Sequence, residues 1–356
     1  MKHLLIMAAG TGGHIFPGLA IADTMRARGW QVSWLGTQRG MEADIIPSRG
    51  ITFDAIDFAG LRGKGLMHAL KGALKMLVSF FRCGAIIRAR QPDVVLGMGG
   101  YVTVPGGVMA AVHGKPLALM NADAALLMSN KALLPFAKKI LFGFSSTGAP
   151  LNKSHITGNP VRKEISRLPA PSQRYPQRSG PLNVLVIGGS LGARVLNDTV
   201  PAALALLAPQ ERPNVVHQSG KQNIDALKKN YANANVDAEV VDFIDDMASR
   251  YAAADVVICR AGAITVTELC AAGVASVLVP LVVSTTSHQQ NNAQWMAAND
   301  AAIHLPQQEL NPVALSALLR NMTRERCLQI AEHAYQQGRR DANDAIAGVL
   351  EDLGKQ

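Results

Sequence analysis

The chain has 356 residues, of which 48% are hydrophobic and 17% are charged, and its formal net charge is +9. This composition excludes a disordered or fibrous protein and predicts a globular chain of about two domains. The excess positive charge favours an anionic partner: nucleic acid, anionic lipid or a phosphorylated small molecule. Aromatic residues make up only 5%, and no basic segment carries them at a spacing suited to base stacking. We therefore expect no nucleic-acid partner.

The compartment is predicted from cysteine usage and from the missing targeting signals. The four cysteines are widely scattered without a CxxC pair, which is typical of buried thiols in a reducing compartment. The first residues lead directly into a strand-like run, with no signal-peptide pattern. Two long uncharged stretches, 94–114 and 269–294, are interrupted by glycine and proline, so they predict strands, turns and helices rather than membrane spans. We expect a cytoplasmic protein.

The predicted elements begin with a buried strand over residues 4–9, a glycine loop and an apolar-periodic helix over residues 15–25. The loop consists of Gly10, Thr11, Gly12, Gly13 and His14. In this order, small residues let backbone amides approach an anion at a helix N-terminus, where the helix dipole favours negative charge. His14 has an unperturbed pKa near neutrality, which makes it a candidate general base.

A basic helix is predicted next, over residues 61–90, which contain seven Lys or Arg residues and no acidic residue. Its apolar face consists of Met67, Leu70, Leu74, Leu77, Val78 and Phe81, bordered by Lys71, Lys75 and Arg82, with Phe80 elsewhere on the circumference. Such a helix is typical of insertion into an anionic membrane surface. A core helix with a solvated basic edge fits the same pattern, and the lack of acidic residues slightly favours the membrane.

Strand-like and helix-like segments alternate throughout, which predicts an α/β fold with parallel sheets. Two pairs of segments echo each other: the strand–loop openings at 4–13 and 183–193, and the strands at 92–97 and 254–259. We therefore predict two similar doubly wound domains whose loops, at the carboxyl ends of the strands, surround one cleft. Residues 145–182 between them are rich in Pro, Ser, Gly and Arg, as a hinge would be.

Residues 260–268 leave a predicted buried strand and enter a helix. Ala261, Gly262 and Ala263 are small enough for backbone N–H groups to meet a phosphate. Glu268, about one turn inside the helix, is placed to accept hydrogen bonds from a ribose diol. The alternative is that Glu268 only complements the helix dipole.

Several cofactor and metal motifs are missing. Neither glycine loop fits the dinucleotide-binding motif G-x-G-x-x-G. In the first loop Ile15 stands at the position of the third glycine, and in the second loop Ser190 and Ala193 stand at the positions of the last two glycines. The sequence also lacks the Walker lysine, an Asp-x-Asp pair and His-Glu-x-x-His. We expect no nicotinamide, no metal ion and no other cofactor, so that backbone amides and helix dipoles carry the charge of any leaving nucleotide diphosphate.

Taken together, the motifs resemble those of the MurG family of N-acetylglucosaminyltransferases over nearly the whole chain. In order they are GTGGHIFP at 10–17, VLGMGGY at 95–101, GNPVR at 158–162, GGSLGA at 188–193, RAGAITVTE at 260–268 and HQQNNA at 288–293. This combination is far more specific than a single glycine loop. The resemblance implies a GT-B fold, α/β with two Rossmann-like doubly wound domains.

The resemblance also implies a role for each domain. Residues 1–162 would form an acceptor-binding and membrane-facing domain, onto which a C-terminal helix over residues 337–356 crosses back. Residues 163–336 would bind UDP-N-acetylglucosamine (UDP-GlcNAc).

Family site residues are carried over by position. The donor UDP-GlcNAc is expected at Thr11, Gly12, Gly13, Asp123, Arg162, Ser190, Ile244, Ala263, Ile264, Thr265, Val266, Thr267, Glu268 and Gln289. The acceptor diphosphate is expected at Gly10, Gly99, Gly100 and Tyr101, and the membrane at Leu74, Leu77, Val78, Phe80, Phe81, Lys71 and Lys75.

One departure concerns a short loop after a predicted strand. Where the family often has HEQN, this chain has Met120-Asn121-Ala122-Asp123. Asp123 thus replaces an asparagine that contacts substrate in the family. It is an alternative to His14 as the acid–base group, or it simply solvates the loop.

The expected activity is inverting transfer of N-acetylglucosamine from UDP to the 4-hydroxyl of N-acetylmuramic acid on undecaprenyl diphosphate, which converts lipid I to lipid II in peptidoglycan synthesis. The enzyme is expected on the cytoplasmic face of the inner membrane, where other cell-wall synthesis proteins are possible partners. The alternative is another GT-B UDP-sugar transferase, or a UDP-GlcNAc epimerase, with a soluble substrate.

Overall fold

The computed structural model describes residues 1–10, 12–57, 66–123, 126–144, 152–189, 192–281 and 288–355, with the backbone alone for residues 66–74. The chain divides into two compact units. Unit 1 comprises Met1–Pro160 together with Asp341–Gln356, and unit 2 comprises Val161–Arg340.

Unit 1 is a parallel sheet with helices on both faces. Its strands are β1 (His3–Ala8), β2 (Gln31–Thr37), β3 (Thr52–Ile56), β4 (Val94–Gly99), β5 (Leu117–Asn121), β6 (Lys139–Phe142) and β7 (Ser154–Ile156). They are ordered β3-β2-β1-β4-β5-β6-β7, and each pairs in parallel with its neighbours. The helices are α1 (Gly12–Ala27), α2 (Glu42–Ser48), α3 (Leu66–Arg90), α4 (Thr103–Val112), α5 (Met128–Leu133) and the final helix, Ala342–Gly354.

The central strand β1 shows why the sheet is covered on both sides. All six of its residues are buried, as expected for a parallel strand between two helical layers. Leu4 and Ile6 belong to one hydrophobic cluster and Leu5 and Met7 to another, because successive side chains point to opposite faces. The final helix packs against α1 in the first of these layers.

Unit 2 repeats the design. Its strands are β8 (Asn183–Ile187), β9 (Asn214–Gln218), β10 (Glu239–Val241), β11 (Val256–Cys259), β12 (Ala275–Leu278) and β13 (Ile303–His304), in the order β10-β9-β8-β11-β12-β13. The helices are α6 (Lys163–Ser166), α7 (Pro171–Arg174), α8 (Arg194–Ala205), α9 (Ile224–Ala234), α10 (Met247–Ala253), α11 (Ala263–Ala272), α12 (His288–Ala298), α13 (Pro312–Arg320) and α14 (Arg324–Gln337), so the final helix of unit 1 is α15. Short 3₁₀ helices span Tyr175–Gln177 and Pro209–Glu211. This strand order is that of a Rossmann fold.

The two pairs of similar segments in the sequence correspond to strands at equivalent positions of the two sheets. β1 and β8 are the third strands of their sheets, and β4 and β11 are the neighbours on which each sheet reverses its winding. The prediction of two doubly wound parallel domains is therefore confirmed.

The predicted hinge over residues 145–182 contains more structure than expected. It holds strand β7, which pairs with β6, and the short helices α6 and α7, while residues 145–151 lie outside the described residues. The chain passes from unit 1 to unit 2 within this segment, after Pro160.

Within the described residues, no helix is both long and apolar enough to cross a membrane. The uncharged stretch 94–114 forms β4 and α4, as predicted. All four cysteines are free and buried, which confirms the prediction of buried thiols.

Candidate functional site

The first glycine loop joins β1 to α1 at the carboxyl end of the unit 1 sheet. Gly10 has φ = +100°, a backbone conformation that side-chain-bearing residues rarely adopt. Thr11 lies outside the described residues. Because α1 begins at Gly12, the amides of its first turn have no partner within the helix, which agrees with the predicted anion site.

His14, on the first turn of α1, lies against the end of β4. Gly99 has φ = +123°, and a Cβ added to it would be 2.6 Å from both Cε1 and Nδ1 of His14. The pairing of β1 with β4 is irregular here: Met7 is opposite Gly97 but Ala8 is opposite Gly99, which leaves Met98 as an extra residue. Such bulges redirect the chain next to functional sites. Only glycine at position 99 permits this approach of the imidazole.

Burial favours the neutral form of the His14 imidazole. Its Nδ1 is buried and has no hydrogen-bond partner among the described residues. Burial lowers the pKa of His14 below its ordinary value, while the charges of Asp123 and Glu42 and the Met98 backbone oppose that shift without cancelling it. A neutral imidazole near neutral pH can accept a proton, so the electrostatics support the predicted base.

Asp123 follows β5 in a loop fixed by buried asparagines. The Asn121 side chain donates to the Asp123 carbonyl at 2.8 Å and accepts from the Leu127 amide at 2.9 Å. The Asn130 side chain donates to Asn121 Oδ1 at 3.2 Å. Because a negative charge at Asp123 raises the pKa of His14, the structure brings the two alternative acid–base residues into one electrostatic environment.

Asn159 supports the same loop from the other side, since its side chain donates to the Ala122 carbonyl at 2.9 Å. Asn121, Asn130 and Asn159 are each fully buried. The sequence motifs contained Asn121 and Asn159, but their supporting role was not predicted. Asparagine in a loop does not by itself indicate which carbonyl it will reach.

Glu42 is a further residue that the sequence did not identify. It is the first residue of α2 and is fully buried. Its Oε2 accepts from the Gly10 amide at 3.3 Å, and its Oε1 accepts from the Thr37 amide and hydroxyl at 3.0 and 2.6 Å. The Gly10 amide thus already has a partner within the protein and is not free to donate to an anion.

The next two residues predicted for the acceptor diphosphate are Gly100 and Tyr101. Gly100 has φ = +89°, and a Cβ there would collide with the Ala9 backbone. Tyr101 follows it and is exposed. Because Gly100 has no side chain, the chain that follows β4 can pass in close contact with Ala9, which follows β1.

In unit 2 the second glycine loop follows β8. Gly192 has φ = +75°, and a Cβ there would collide with the Ser219 carbonyl. The buried Gln218 side chain accepts from the Gly188 amide at 3.2 Å and donates to the Gly189 carbonyl at 2.9 Å. Ser190 lies outside the described residues, and Ile244 is buried. The loop is held by a side chain that the sequence motif did not reveal.

The third loop leads from β11 into α11, whose N-cap Gly262 makes no side-chain cap. The first-turn amides of Ala263, Ile264 and Thr265 are therefore the donors available to an anion. Val266 already donates its amide to the Gly262 carbonyl at 2.9 Å, and its side chain is buried. The Thr267 hydroxyl donates to the Ala263 carbonyl at 2.8 Å. The buried side chain of Val266 and the hydrogen bond of Thr267 thus hold the first turn of α11 in place.

Arg162 and Glu268 form a bidentate ion pair. Nε and Nη2 of Arg162 donate to Oε1 and Oε2 of Glu268 at 2.8 and 2.9 Å, and the buried Tyr251 hydroxyl donates to Oε2 at 3.4 Å. Burial lowers the pKa of Arg162, but the charge and hydrogen bonds of Glu268 outweigh burial and leave it raised. A carboxylate offers about four lone pairs, so a ribose hydroxyl can be added to these three bonds. Arg162 and Glu268, which were each predicted to bind UDP-GlcNAc, are thus in direct contact.

Gln289 is on the first turn of α12. Its Oε1 accepts from the Leu281 amide at 2.8 Å. The neighbouring Asn292 is fully buried and donates to the Ala261 carbonyl at 3.1 Å. The HQQNNA motif therefore ties α12 to two earlier segments, the one after β11 and the one after β12.

Comparison with known proteins identifies the family. The glycosyltransferase family 28 N-terminal domain matches residues 4–142, and the family 28 C-terminal domain matches residues 183–346. The UDP-N-acetylglucosamine--N-acetylmuramyl-(pentapeptide) pyrophosphoryl-undecaprenol N-acetylglucosamine transferase of Janthinobacterium sp. is 65% identical over 100% of this chain and 99% of its own length. The enzyme of the same name from Herminiimonas arsenicoxydans is 66% identical over the same shares. The chain belongs to the MurG family of glycosyltransferases.

Solved structures support the MurG assignment at the level of the fold. MurG of Acinetobacter baumannii is 37% identical, with a TM-score of 0.84 over 99% of this chain and 100% of that one. The GT-B fold with two Rossmann-like domains is thereby confirmed. A UDP-GlcNAc 2-epimerase from Neisseria meningitidis has a TM-score of 0.68 over 99% of this chain and 100% of its own, at 12% identity. At that identity the likeness shows the shared fold alone.

The predicted membrane helix over residues 61–90 corresponds to α3 (Leu66–Arg90). Residues 61–65 and the side chains of Met67, Leu70, Lys71 and Leu74 lie outside what the structure describes. Leu77, Val78 and Phe81 are 53%, 43% and 71% exposed, so this part of the apolar face is not core. Phe80 is half-buried. The core-helix alternative does not hold for these three side chains.

Lys75, beside the exposed apolar residues of α3, is itself exposed and lies 3.7 Å from the Asp57 carboxylate. An ion pair this exposed contributes little to stability. Across the described ranges, no group of three metal-ligating side chains is clustered.

Proposed function

We propose that this MurG-family protein transfers N-acetylglucosamine from UDP-GlcNAc to the 4-hydroxyl of N-acetylmuramic acid in undecaprenyl-diphosphate-linked lipid I, forming lipid II for peptidoglycan synthesis. The observation that carries the proposal is the 65% identity to the Janthinobacterium transferase over the full length of the chain. The environment of His14 provides the chemistry that such a transfer needs.

The transfer is a single inverting displacement. The acceptor oxygen attacks the anomeric carbon, the bond from that carbon to the UDP oxygen breaks, and the hydroxyl proton passes to His14. The neutral imidazole, whose pKa is lowered by burial, is in the form that accepts this proton. Asp123 remains the alternative base, and its negative charge favours the imidazolium that proton transfer creates.

The donor is proposed to bind in unit 2, where the amides of Ala263, Ile264 and Thr265 receive the diphosphate. Unpaired amides and the dipole of α11 stabilise the leaving UDP without a metal ion. Glu268, oriented by Arg162, accepts the ribose hydroxyls. The other residues of unit 2 that are assigned to the donor are Ser190, Ile244, Val266, Thr267 and Gln289.

The acceptor diphosphate is proposed to bind unit 1 at the first-turn amides of α1, next to Gly99, Gly100 and Tyr101. The role of Gly10 is to turn the chain, because its amide donates to Glu42.

Measuring release of UDP with and without a lipid I analogue tests the proposed reaction. UDP release that requires the analogue, with lipid II as product, is the expected result. Turnover of UDP-GlcNAc without any acceptor would instead favour the epimerase reaction. His14→Ala should lower kcat by roughly 10²- to 10⁴-fold, whereas His333→Ala, an exposed histidine of α14, should not change it.

We also propose that unit 1 binds the cytoplasmic face of an anionic membrane through α3. Leu77, Val78 and Phe81 supply exposed apolar surface, and the chain carries a net charge of +9. In the neighbouring helices, α4 packs on both α3 and α5, and Val112 of α4 and Met128 of α5 are also 67% and 85% exposed.

Sedimentation with phosphatidylglycerol vesicles tests membrane binding. Leu77→Ser combined with Phe81→Ser should reduce the bound fraction. The matched control, Leu206→Ser with Val313→Ser, removes two exposed apolar side chains of unit 2 and should bind as the unmodified protein does. Equal binding by both variants would refute the role of α3.

A further inference from the structure

A fully buried carboxylate supports the glycine loop of unit 1. Glu42 has no exposed surface, and its three hydrogen bonds come from the Gly10 amide and from the amide and hydroxyl of Thr37. Thr37 ends β2, and Gly10 begins the loop that leads to His14. Glu42 therefore connects the second strand of the sheet to the segment that carries the proposed base.

Two glycines make the space that this carboxylate occupies. A Cβ on Gly36 would be 2.7 Å from Cγ of Glu42. A Cβ on Gly40 would overlap the Glu42 carboxylate itself. The segment 36–42 thus folds around the Glu42 side chain.

Packing alone does not require a charge at this position. A glutamine has nearly the same volume, and a buried carboxylate is costly unless hydrogen bonds compensate it. Two donors on Thr37 anchor Oε1, which leaves Oε2 to the Gly10 amide. The charge also acts on His14, whose pKa it raises against the larger effect of burial.

We propose that Glu42 is a positioning residue for the proposed sugar transfer: by accepting the Gly10 amide while anchored by Thr37, its carboxylate fixes the loop that presents His14 to the acceptor hydroxyl. This inference rests on the proposed function. Glu42 does not touch the reacting atoms and acts through the loop and through its charge.

The groups that set the protonation of His14 come from separate elements. Glu42 is on α2 and Asp123 follows β5, and both negative charges favour the imidazolium, as does the Met98 backbone on β4. Removing the Glu42 charge therefore removes one of the effects that oppose the lowering of the His14 pKa by burial. The pKa of His14 should then fall further below its ordinary value, and the ring should titrate at lower pH.

Glu42→Gln is the decisive substitution. The glutamine oxygen can still accept from Thr37, but its NH₂ group then faces the Gly10 N–H, so the bond to the loop is lost. Asp44→Asn, an exposed acid on the same helix, is the control for the change in net charge. Two readouts are made: kcat for transfer to a lipid I analogue, and the His14 titration, followed by NMR of ¹³C-labelled histidine and assigned with His14→Gln.

With Glu42→Gln we expect kcat to fall about 10- to 100-fold and the His14 titration to move to lower pH, while Asp44→Asn changes neither. An unmoved titration with kcat within about twofold of the original would overturn the proposal. If the original protein transfers no sugar but Glu42→Gln still moves the His14 titration, the proposed function fails while the coupling of Glu42 to His14 stands.

A second pair of variants serves if Glu42→Gln does not fold. Thr37→Val removes the 2.6 Å donor to Glu42 with little change in volume, whereas Thr37→Ser retains it. The proposal predicts that the valine variant loses several-fold more kcat than the serine variant, at an unchanged KM for UDP-GlcNAc. Equal kcat values for the two would overturn it.

Discussion

Replacing Gly99 with alanine should remove the base from its working position while leaving unit 1 folded. The added Cβ would be 2.6 Å from Cε1 and Nδ1 of His14, against an ordinary contact limit of 3.4 Å, so the ring must retreat by about 0.8 Å. Alanine at φ = +123° also costs about 1–3 kcal/mol of backbone strain. A misplacement of about 1 Å at a reacting group can cost about 10²-fold in rate.

The assay is steady-state transfer to a lipid I analogue, with KM and kcat measured separately. We expect kcat to fall about 100-fold. The control is Gly29→Ala, in the same unit, where φ is +82° and a Cβ would meet nothing within 4 Å. It bears a comparable backbone strain without touching His14, and its kcat should stay within about twofold.

The separation of KM from kcat decides between two roles for Gly99. If its main task is to bind the acceptor diphosphate, the alanine variant should raise the acceptor KM and leave kcat nearly intact. That result would contradict the conclusion that this glycine exists to admit the imidazole. Loss of folding in both variants would point to strain alone.

Further predictions concern pH and the donor site. Because burial lowers the pKa of His14 below 6.5 and the neutral ring is the active form, the acid limb of kcat/KM should lie below pH 6.5 and disappear in His14→Ala. Glu268→Ala should raise the KM for UDP-GlcNAc more than it lowers kcat; Glu239→Ala, which breaks an exposed bidentate pair with Arg250, should change neither, and a pure kcat effect would contradict ribose binding. Gly192→Ala should also raise the donor KM, unlike Gly180→Ala, where φ is +73° and a Cβ would meet nothing within 4 Å.

Much of the fold could be predicted because its signals are local. The all-buried strand β1 reads as an uninterrupted apolar run, since a parallel strand between two helical layers needs no polar face. The glycine loops that follow β1 and β8 mark equivalent turns in the two sheets. These features depend on residues that are neighbours in the chain, and so the sequence displays them.

The supporting contacts of the site could not be predicted because they are not local. Glu42 follows Arg39, Gly40 and Met41, where an acidic residue at a helix start is ordinarily solvated and complements the helix dipole. One of its hydrogen-bond donors, Gly10, belongs to another strand–loop segment. The pairing of Arg162 with Glu268 crosses 106 positions of the chain, so each was predicted as a donor residue but not as the partner of the other.

Glu42 and Glu268 show that the residues of a family motif depend on supporting contacts from other parts of the chain. Glu268 lies inside a motif, yet its orientation depends on Arg162 and Tyr251. Glu42 lies outside the recognised motifs, yet it holds Gly10 of the first one. In each case a carboxylate is fixed by donors from other segments, and such preorganisation lowers the cost of reorganisation when a ligand binds. Thr37→Val should therefore lower kcat and Tyr251→Phe should raise the KM for UDP-GlcNAc, although neither residue is assigned a contact with substrate.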